Sequence, residues 1–306
     1  MNKLYQFDPD EVDNITIRFG EDFYHKVLRD IAVYADQWKL SSLQLVASYS
    51  ANLVFRCYSE NYGNVVLKIG NPLFGGIVTE LNTLYEYAGG RFCRVFDADI
   101  ENGIILEECV QPGISLREES SLEQRLSIFC SLYSGLHKTP ANAAIYPTYI
   151  QWVCRITDYM SKRQDCTDLY AYMQKAKDMC LAVANLYSQK LLLHGDLHHD
   201  NILLGDAGQY RIIDPKGVIG DPVFDVPRFI LNEFEDEITA ELYKKINAIL
   251  CNLEEKLTIP QDILKQCLYI ETTMGACWSV EDGSPADHYS SLMERVAFAD
   301  SILNSI

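Results

Sequence analysis

The chain is poor in basic residues. Of 306 residues only 26 are Lys or Arg, against 43 Asp or Glu, and the formal net charge is −17. That balance argues against a nucleic-acid partner or an anionic membrane surface, both of which need basic patches. It suits a cationic small molecule, and it suits equally an acidity that serves only solubility. No uninterrupted apolar run approaches about 18 residues, so no membrane-spanning helix is expected. Residues 1–13 have neither the basic start nor the apolar core of a secretion signal. None of the ten cysteines forms a C-x-x-C pair, and several, such as Cys57, Cys109 and Cys154, fall inside apolar runs. Free thiols of that kind point to a reducing compartment, and the expected location is the cytoplasm. The pattern G-x-x-x-x-G-K-[ST] is missing, which excludes a P-loop nucleotide site.

What is present is enough apolar residue, 48%, for a sizeable core, and one stretch dense in chemistry. Leu193-His194-Gly195-Asp196-Leu197-His198-His199-Asp200-Asn201 lies between the apolar runs 190–193 and 202–204. Thirteen residues beyond Asn201 stands Asp214, within Ile212-Ile213-Asp214-Pro215-Lys216-Gly217. Two carboxylates and an amide in loops bounded by short strand-like segments are the groups that phosphoryl transfer uses. One carboxylate, Asp196, receives or orients the proton of an attacking hydroxyl. The other, Asp214, holds magnesium on the nucleotide phosphates together with the amide oxygen of Asn201. A lone Gly-Asp is a common turn, but a turn does not explain the joint spacing of His194, Asp196, Asn201 and Asp214. His194, His198 and His199 crowd together, yet they match neither H-E-x-x-H nor a cysteine pair. A hydrolytic zinc site is therefore the weaker alternative; the extra histidines brace the loop or lie near the phosphates.

The spacing H-x-D-x-x-x-x-N, followed by two apolar residues and Asp, resembles the catalytic loop and metal-binding Asp of kinase-fold enzymes. His-Gly-Asp-Leu-His resembles the aminoglycoside phosphotransferase branch of that fold. Asp214-Pro215-Lys216-Gly217, followed by Gly220-Asp221-Pro222-Val223-Phe224-Asp225, resembles the streptomycin 6-kinase and hydroxyurea kinase family. The resemblance extends over residues 43–283. It implies an α+β, protein-kinase-like fold with a small antiparallel β N-lobe (1–108) and a larger, mainly helical C-lobe (109–306). It also implies ATP, with GTP as the alternative, Mg2+, and transfer to a hydroxyl of an aminocyclitol such as streptomycin.

The rest of the chain fits into that frame. Phe23, Val27, Ile31, Tyr34 and Trp38 recur at helical spacing, and this helix either packs on the N-lobe or covers substrate. Residues 43–46, 54–58 and 64–69 read as a β-meander. In the family the turn 47–52 covers the phosphates; this chain has no glycine there, and Ser48 and Ser50 are small residues that still permit a close approach. Lys68, near the end of the third strand, is the expected phosphate-contacting lysine, with an exposed strand-end lysine as the alternative. On the helix 75–87, Glu80 falls beside the apolar stripe and Glu86 points away. Glu80 is therefore the expected partner of Lys68, and Glu86 a solvated charge. Strands at 92–97 and 103–107 lead to the lobe connection at 106–110. There Glu107 and Glu108 are expected to frame the adenine pocket, with Cys109 in the connecting backbone.

Helices are expected at 118–136, 148–162, 167–189, 235–256, 261–280 and 285–303. From Asp214 the chain runs only eleven residues to Asp225 and no Ala-Pro-Glu follows, which favours a small-molecule kinase without a loop switch. Asp221-Pro222 reads as a helix N-cap and Asp225 as a first-turn acid; the resemblance adds support of the catalytic loop. Lys216 either reaches the transferring phosphoryl group or is a surface lysine. Residues 271–283 combine carboxylates with Trp278, which suits a guanidinium or ammonium group. Glu233, Trp278, Glu281 and Asp282 are the candidate substrate contacts, the alternative being an acidic helix end with one packed tryptophan. Two rival functions stay open. One is a kinase of another small alcohol such as choline, homoserine or an amine-linked sugar. The other is a nucleotide-binding module without catalysis, favoured by the missing glycines and opposed by the presence of Asp196 and Asp214.

Overall fold

A computed structural model describes residues 5–46, 51–74, 76–235 and 237–305. The chain divides into two compact units, Met1–Gly113 with Leu204–Ile213, and Ile114–Leu203 with Asp214–Ile306. The linear reading divides the chain after residue 108; the first unit runs on to Gly113 and takes back a later segment.

The first unit is built on a five-stranded antiparallel sheet in the order β1-β2-β3-β5-β4. Its strands are β1 (Leu40–Leu45), β2 (Leu53–Ser59), β3 (Gly63–Ile69), β4 (Val95–Asp99) and β5 (Ile104–Glu108). Strand alternation sends Leu53, Phe55, Cys57, Val65, Leu67, Ile69, Ile104 and Leu106 to one face. Two helices, α1 (Pro9–Phe19) and α2 (Glu21–Gln37), cover that face through Ile15, Phe23, Val27, Ile31 and Tyr34. Each such side chain contributes about 1.5–3 kcal/mol relative to exposure. Tyr34 Oη donates to Asp99 at 2.6 Å and Trp38 Nε1 to Asp97 at 2.8 Å, fixing α2 to β4. So the N-terminal helices pack on the sheet. On the other face, α3 (Gly76–Tyr87) packs Ile77 and Leu81 on Ile105.

Helix α1 lies in what reads as a polar start, and its signal is in the sequence. Asp8 accepts from the Glu11 N–H at 2.8 Å, Glu11 accepts from the Asp8 N–H at 3.0 Å, and Pro9 opens the helix. That is a reciprocal capping box with proline at the first position. Strand β4 begins three residues later than expected. Phe92 instead pairs with Ile212 of the short strand Tyr210–Ile212, and the Cys93 N–H donates to Ile212 O at 3.0 Å.

The second unit is helical: α4 (Leu122–Tyr133), α5 (Tyr149–Met160), α6 (Thr167–Leu186), α7 (Pro227–Leu231), α8 (Ala240–Leu257), α9 (Gln261–Glu281) and α10 (Tyr289–Leu303). Helix α9 is buried nearly all round, against α5, α6, α7, α8 and α10, as a helix without a polar face must be. Ser121 and Thr239 cap α4 and α8, accepting from Gln124 N and Leu242 N. Both helices therefore start later than expected, at Leu122 and Ala240. The strands Leu191–Leu193 and Val218–Gly220 pair antiparallel, Leu193 opposite Val218, and bring the two motif loops together. Among the described residues no helix is long and apolar enough to cross a membrane.

Candidate active site

In the first unit, the alternation that buries Leu67 and Ile69 under α1 and α2 turns Lys68 to the α3 face. Its Nζ lies 2.5 Å from Glu80 Oε1 and 2.9 Å from Glu107 Oε1, with all three residues buried. A buried ammonium is stable only when paired in this way. Asn52 Nδ2 donates to the other Glu80 oxygen at 3.1 Å. Glu86 is partly buried, not a solvated charge. The strand-end lysine is likewise not exposed.

Glu107 differs from its expected role. Ile104 and Leu106 face the α1–α2 core, so Ile105 and Glu107 face α3, and the Glu107 carboxylate goes to Lys68 instead of a base pocket. Glu108 is likewise engaged, accepting from Arg94 N at 3.1 Å and Arg94 Nε at 3.3 Å. Cys109 is partly buried; its N–H donates to Asn64 O at 3.4 Å and its Sγ accepts from Gln111 Nε2 at 3.3 Å. Ser48 and Ser50 lie outside the described residues.

In the second unit, the paired strands set the loop that carries Asp196. Gly195 has φ +79°, and a Cβ there would stand 2.8 Å from the Trp152 ring, so only glycine fits. The buried His194 accepts from Asp196 N through Nδ1 at 3.1 Å, and its carbonyl accepts from Lys216 N at 2.8 Å. Asp225 is fully buried and fastens this loop. It accepts from His194 N and Gly195 N at 2.7 Å each and lies 2.9 Å from His137 Nε2. Burial pushes the Asp225 carboxyl upward, but the His137 hydrogen bond and the neighbouring donors outweigh it and leave it lowered. Asp221 caps its short helix through Val223 N at 3.2 Å and also accepts from Gln189 N at 3.1 Å.

The Asp196 carboxylate faces Arg228 Nε at 3.2 Å, His198 Nε2 at 3.7 Å and Lys216 Nζ at 3.9 Å. Burial raises its pKa, Arg228 and then His198 and Lys216 oppose this, and the balance is lowered. Burial drives His198 down to about 4, leaving it neutral at physiological pH. The result is an ionised carboxylate at the end of a fixed loop, able to accept a hydrogen bond from a hydroxyl. Lys216 is partly exposed, 43% along its side chain.

Asn201 donates through Nδ2 to the Asp196 carbonyl at 2.9 Å, which leaves its amide oxygen as an acceptor. Asp214 adopts φ 56°, a conformation sparsely used by residues other than glycine. Among the described residues no group of three or more His, Cys, Asp or Glu is placed to hold a metal. One amide oxygen and one carboxylate are hard donors of the kind magnesium accepts when phosphates and water complete its shell. His199 is used elsewhere: its Nε2 meets Glu233 at 2.8 Å and its ring stacks on Phe229 at 4.3 Å.

The expected substrate contacts are mostly engaged. Glu233 is buried and held by Arg125 at 2.6 Å and 2.8 Å, by His199, and by Lys245 at 3.2 Å. Glu233 thus serves as an internal hub rather than an open contact. Burial raises its pKa, but the His199 and Arg125 hydrogen bonds lower it far more. Glu281 pairs with both terminal nitrogens of Arg155 at 2.6 Å and 2.8 Å. Asp282 is exposed at the end of α9. Trp278 is half-buried, edge-on to Trp152 at 5.7 Å. Sequence reasoning did not single out Arg228 or Glu271, which meet at 2.8 Å; Tyr149 Oη donates to Glu271 at 2.5 Å. Arg228 stands three residues beyond Asp225, a spacing that puts it on the same side of a helical turn, and this was the available signal.

An antiparallel-sheet unit with a buried Lys–Glu pair, a helical unit, and the His194–Asp196–Asn201–Asp214 set define the class: a protein-kinase-like phosphotransferase. Solved structures share the fold. The choline kinase of Streptococcus pneumoniae superposes with a TM-score of 0.64 at 16% identity, over 92% of this chain and 100% of the other. An aminoglycoside phosphotransferase in ternary complex with ADP and hygromycin B gives 0.61 at 14% identity, over 89% and 97%. The streptomycin 6-kinase of Streptomyces griseus is 23% identical over 84% of each chain. The hydroxyurea phosphotransferase of Kitasatospora aureofaciens is 29% identical over 42% of this chain and 35% of its own. Residues 37–283 match the model of the aminoglycoside/hydroxyurea antibiotic resistance kinase family, and the chain belongs to that family. It is a small-molecule kinase, a phosphotransferase with an alcohol group as acceptor that uses an ATP-type nucleotide.

Proposed function

We propose that the chain transfers the γ-phosphoryl group of ATP, with Mg2+, to a hydroxyl of a cationic aminoglycoside or aminocyclitol such as streptomycin, in the cytoplasm. The observation that carries this is the Asp196 carboxylate, ionised and ringed by Arg228, His198 and Lys216 on a loop fastened by Asp225. Asp196 orients the acceptor hydroxyl and receives its proton. Asn201 and Asp214 would hold the magnesium, which would neutralise phosphate charge. Lys68, steadied by Glu80 and Glu107, does the same at the α- and β-phosphates. The streptomycin 6-kinase and hydroxyurea phosphotransferase relatives support the acceptor class.

A second reading, a kinase of another small alcohol, is favoured by the acidic residues themselves. Glu233 and Glu281 are already paired with cations of the chain. The test is magnesium-dependent ADP release with a panel of streptomycin, other aminoglycosides, choline and hydroxyurea. Stimulation by streptomycin or another aminoglycoside supports the first reading. Stimulation by choline alone contradicts it and leaves the second.

A further inference from the structure

Glu271 sits in the middle of α9, 2% exposed, where an unpaired carboxylate is costly. Two groups reach it: Tyr149 Oη at 2.5 Å and Arg228 Nε at 2.8 Å. The same Arg228 nitrogen is 3.2 Å from Asp196 Oδ1, and its guanidinium carbon lies 5.9 Å from the centre of the Trp278 ring. A buried carboxylate, a second carboxylate and an indole face converge on one guanidinium. These are the elements by which proteins hold a guanidinium or ammonium ligand. Here the occupant comes from α7 of the same chain. Arg228 Nε is buried within ion-pair distance of both carboxylates but hydrogen-bonds to neither, no hydrogen bond from its two terminal nitrogens occurs among the described residues, and the side chain is 24% exposed. The guanidinium fork is therefore presented beside Asp196.

We propose that Arg228 is a specificity-determining residue: it fills, from within the chain, the cation subsite formed by Glu271, Asp196 and Trp278. An acceptor hydroxyl that reaches Asp196 then lies next to a fixed positive charge. Any amine or guanidine directly beside that hydroxyl is repelled. A neighbouring hydroxyl, carbonyl or carboxylate is instead bound by the free fork. Cationic groups of an acceptor belong farther from the reacting position. This rests on Asp196 as the group that meets the acceptor hydroxyl, but the subsite itself does not depend on catalysis.

Calorimetry with ethylguanidinium as probe, and urea as neutral control, tests the subsite. Arg228→Ala is expected to bind the probe saturably, the wild type not at all, and Arg228→Ala/Glu271→Gln at least about tenfold more weakly. No binding by an Arg228→Ala protein that keeps the wild-type circular dichroism and unfolding transition overturns the proposal. Equal binding by the wild type does so too. Arg228→Gln, which removes the charge and keeps an amide N–H donor on a shorter side chain, gives a second reading by ADP release. Paired cyclitols are compared that differ only in hydroxyl or amine beside the reacting hydroxyl. The wild type is expected to favour the hydroxyl form by on the order of tenfold, from one charge–charge contact near a protein surface. The variant is expected to bring the ratio near one, and an unchanged ratio overturns the proposal. If the wild type turns over no acceptor while Arg228→Ala binds the probe, the kinase reading fails and the subsite stands.

Discussion

Replacing Asp225 with alanine tests how the catalytic loop is held. The change removes the acceptor for two backbone N–H groups at 2.7 Å, on His194 and Gly195, and the partner of His137 at 2.9 Å. Hydrogen bonds to a charged group contribute about 1.5–3 kcal/mol each, and leaving buried donors unpaired adds to that cost. The three bonds share one carboxylate, so they do not add; we expect about 3–5 kcal/mol, a fall in Tm of about 6–15 °C. Asp225→Asn keeps one acceptor oxygen and should lose about half as much. The Asp225 carboxyl is lowered in the folded chain. Its contribution is thus complete above the unfolded value of about 3.9 and lost as pH falls through the lower folded value. Urea unfolding at pH 7 and at several pH values below 4 measures both effects. A wild-type unfolding free energy for Asp225→Ala at pH 7 would refute the reasoning. So would a deficit that grows on acidification.

Lys68→Met should raise the KM for ATP at least about tenfold and destabilise the chain, because Glu80 and Glu107 then face each other without their shared cation; ADP release against ATP concentration and thermal unfolding report the two effects. His198 is depressed to about 4 by burial. The unfolded chain therefore takes up that proton first, and stability should fall as pH drops from about 6.5 towards 4; His198→Gln should flatten that part of the urea-unfolding profile. Arg155→Ala breaks only a pair with an exposed arginine at Glu281, so its unfolding free energy should move by less than about 1 kcal/mol.

Features set by local pattern were legible in the sequence. The apolar stripe of α3 puts Glu80 rather than Glu86 at the buried edge, and the strand that ends after Lys68 lies where the period of two puts it. The motif spacing alone marks Asp196, Asn201 and Asp214. Features made by distant segments were not legible. Glu107 reaches Lys68 because strand pairing sets Val66 opposite Glu107 and turns both side chains to α3. Glu233 meets Arg125 across more than a hundred residues, and Tyr149 meets Glu271 likewise. Nothing in a local window distinguishes such a buried, partnered acid from one that waits for substrate. The α1 capping box is different, since Asp8-Pro9-x-Glu11 carried its signal in four residues.

The most direct test of the account is Asp196→Asn, assayed for acceptor-stimulated ADP release alongside ATP binding and urea unfolding. Transfer is expected to fall by about 10²–10⁴-fold, with nucleotide affinity and fold retained. Transfer at the wild-type rate in a folded Asp196→Asn protein would contradict it.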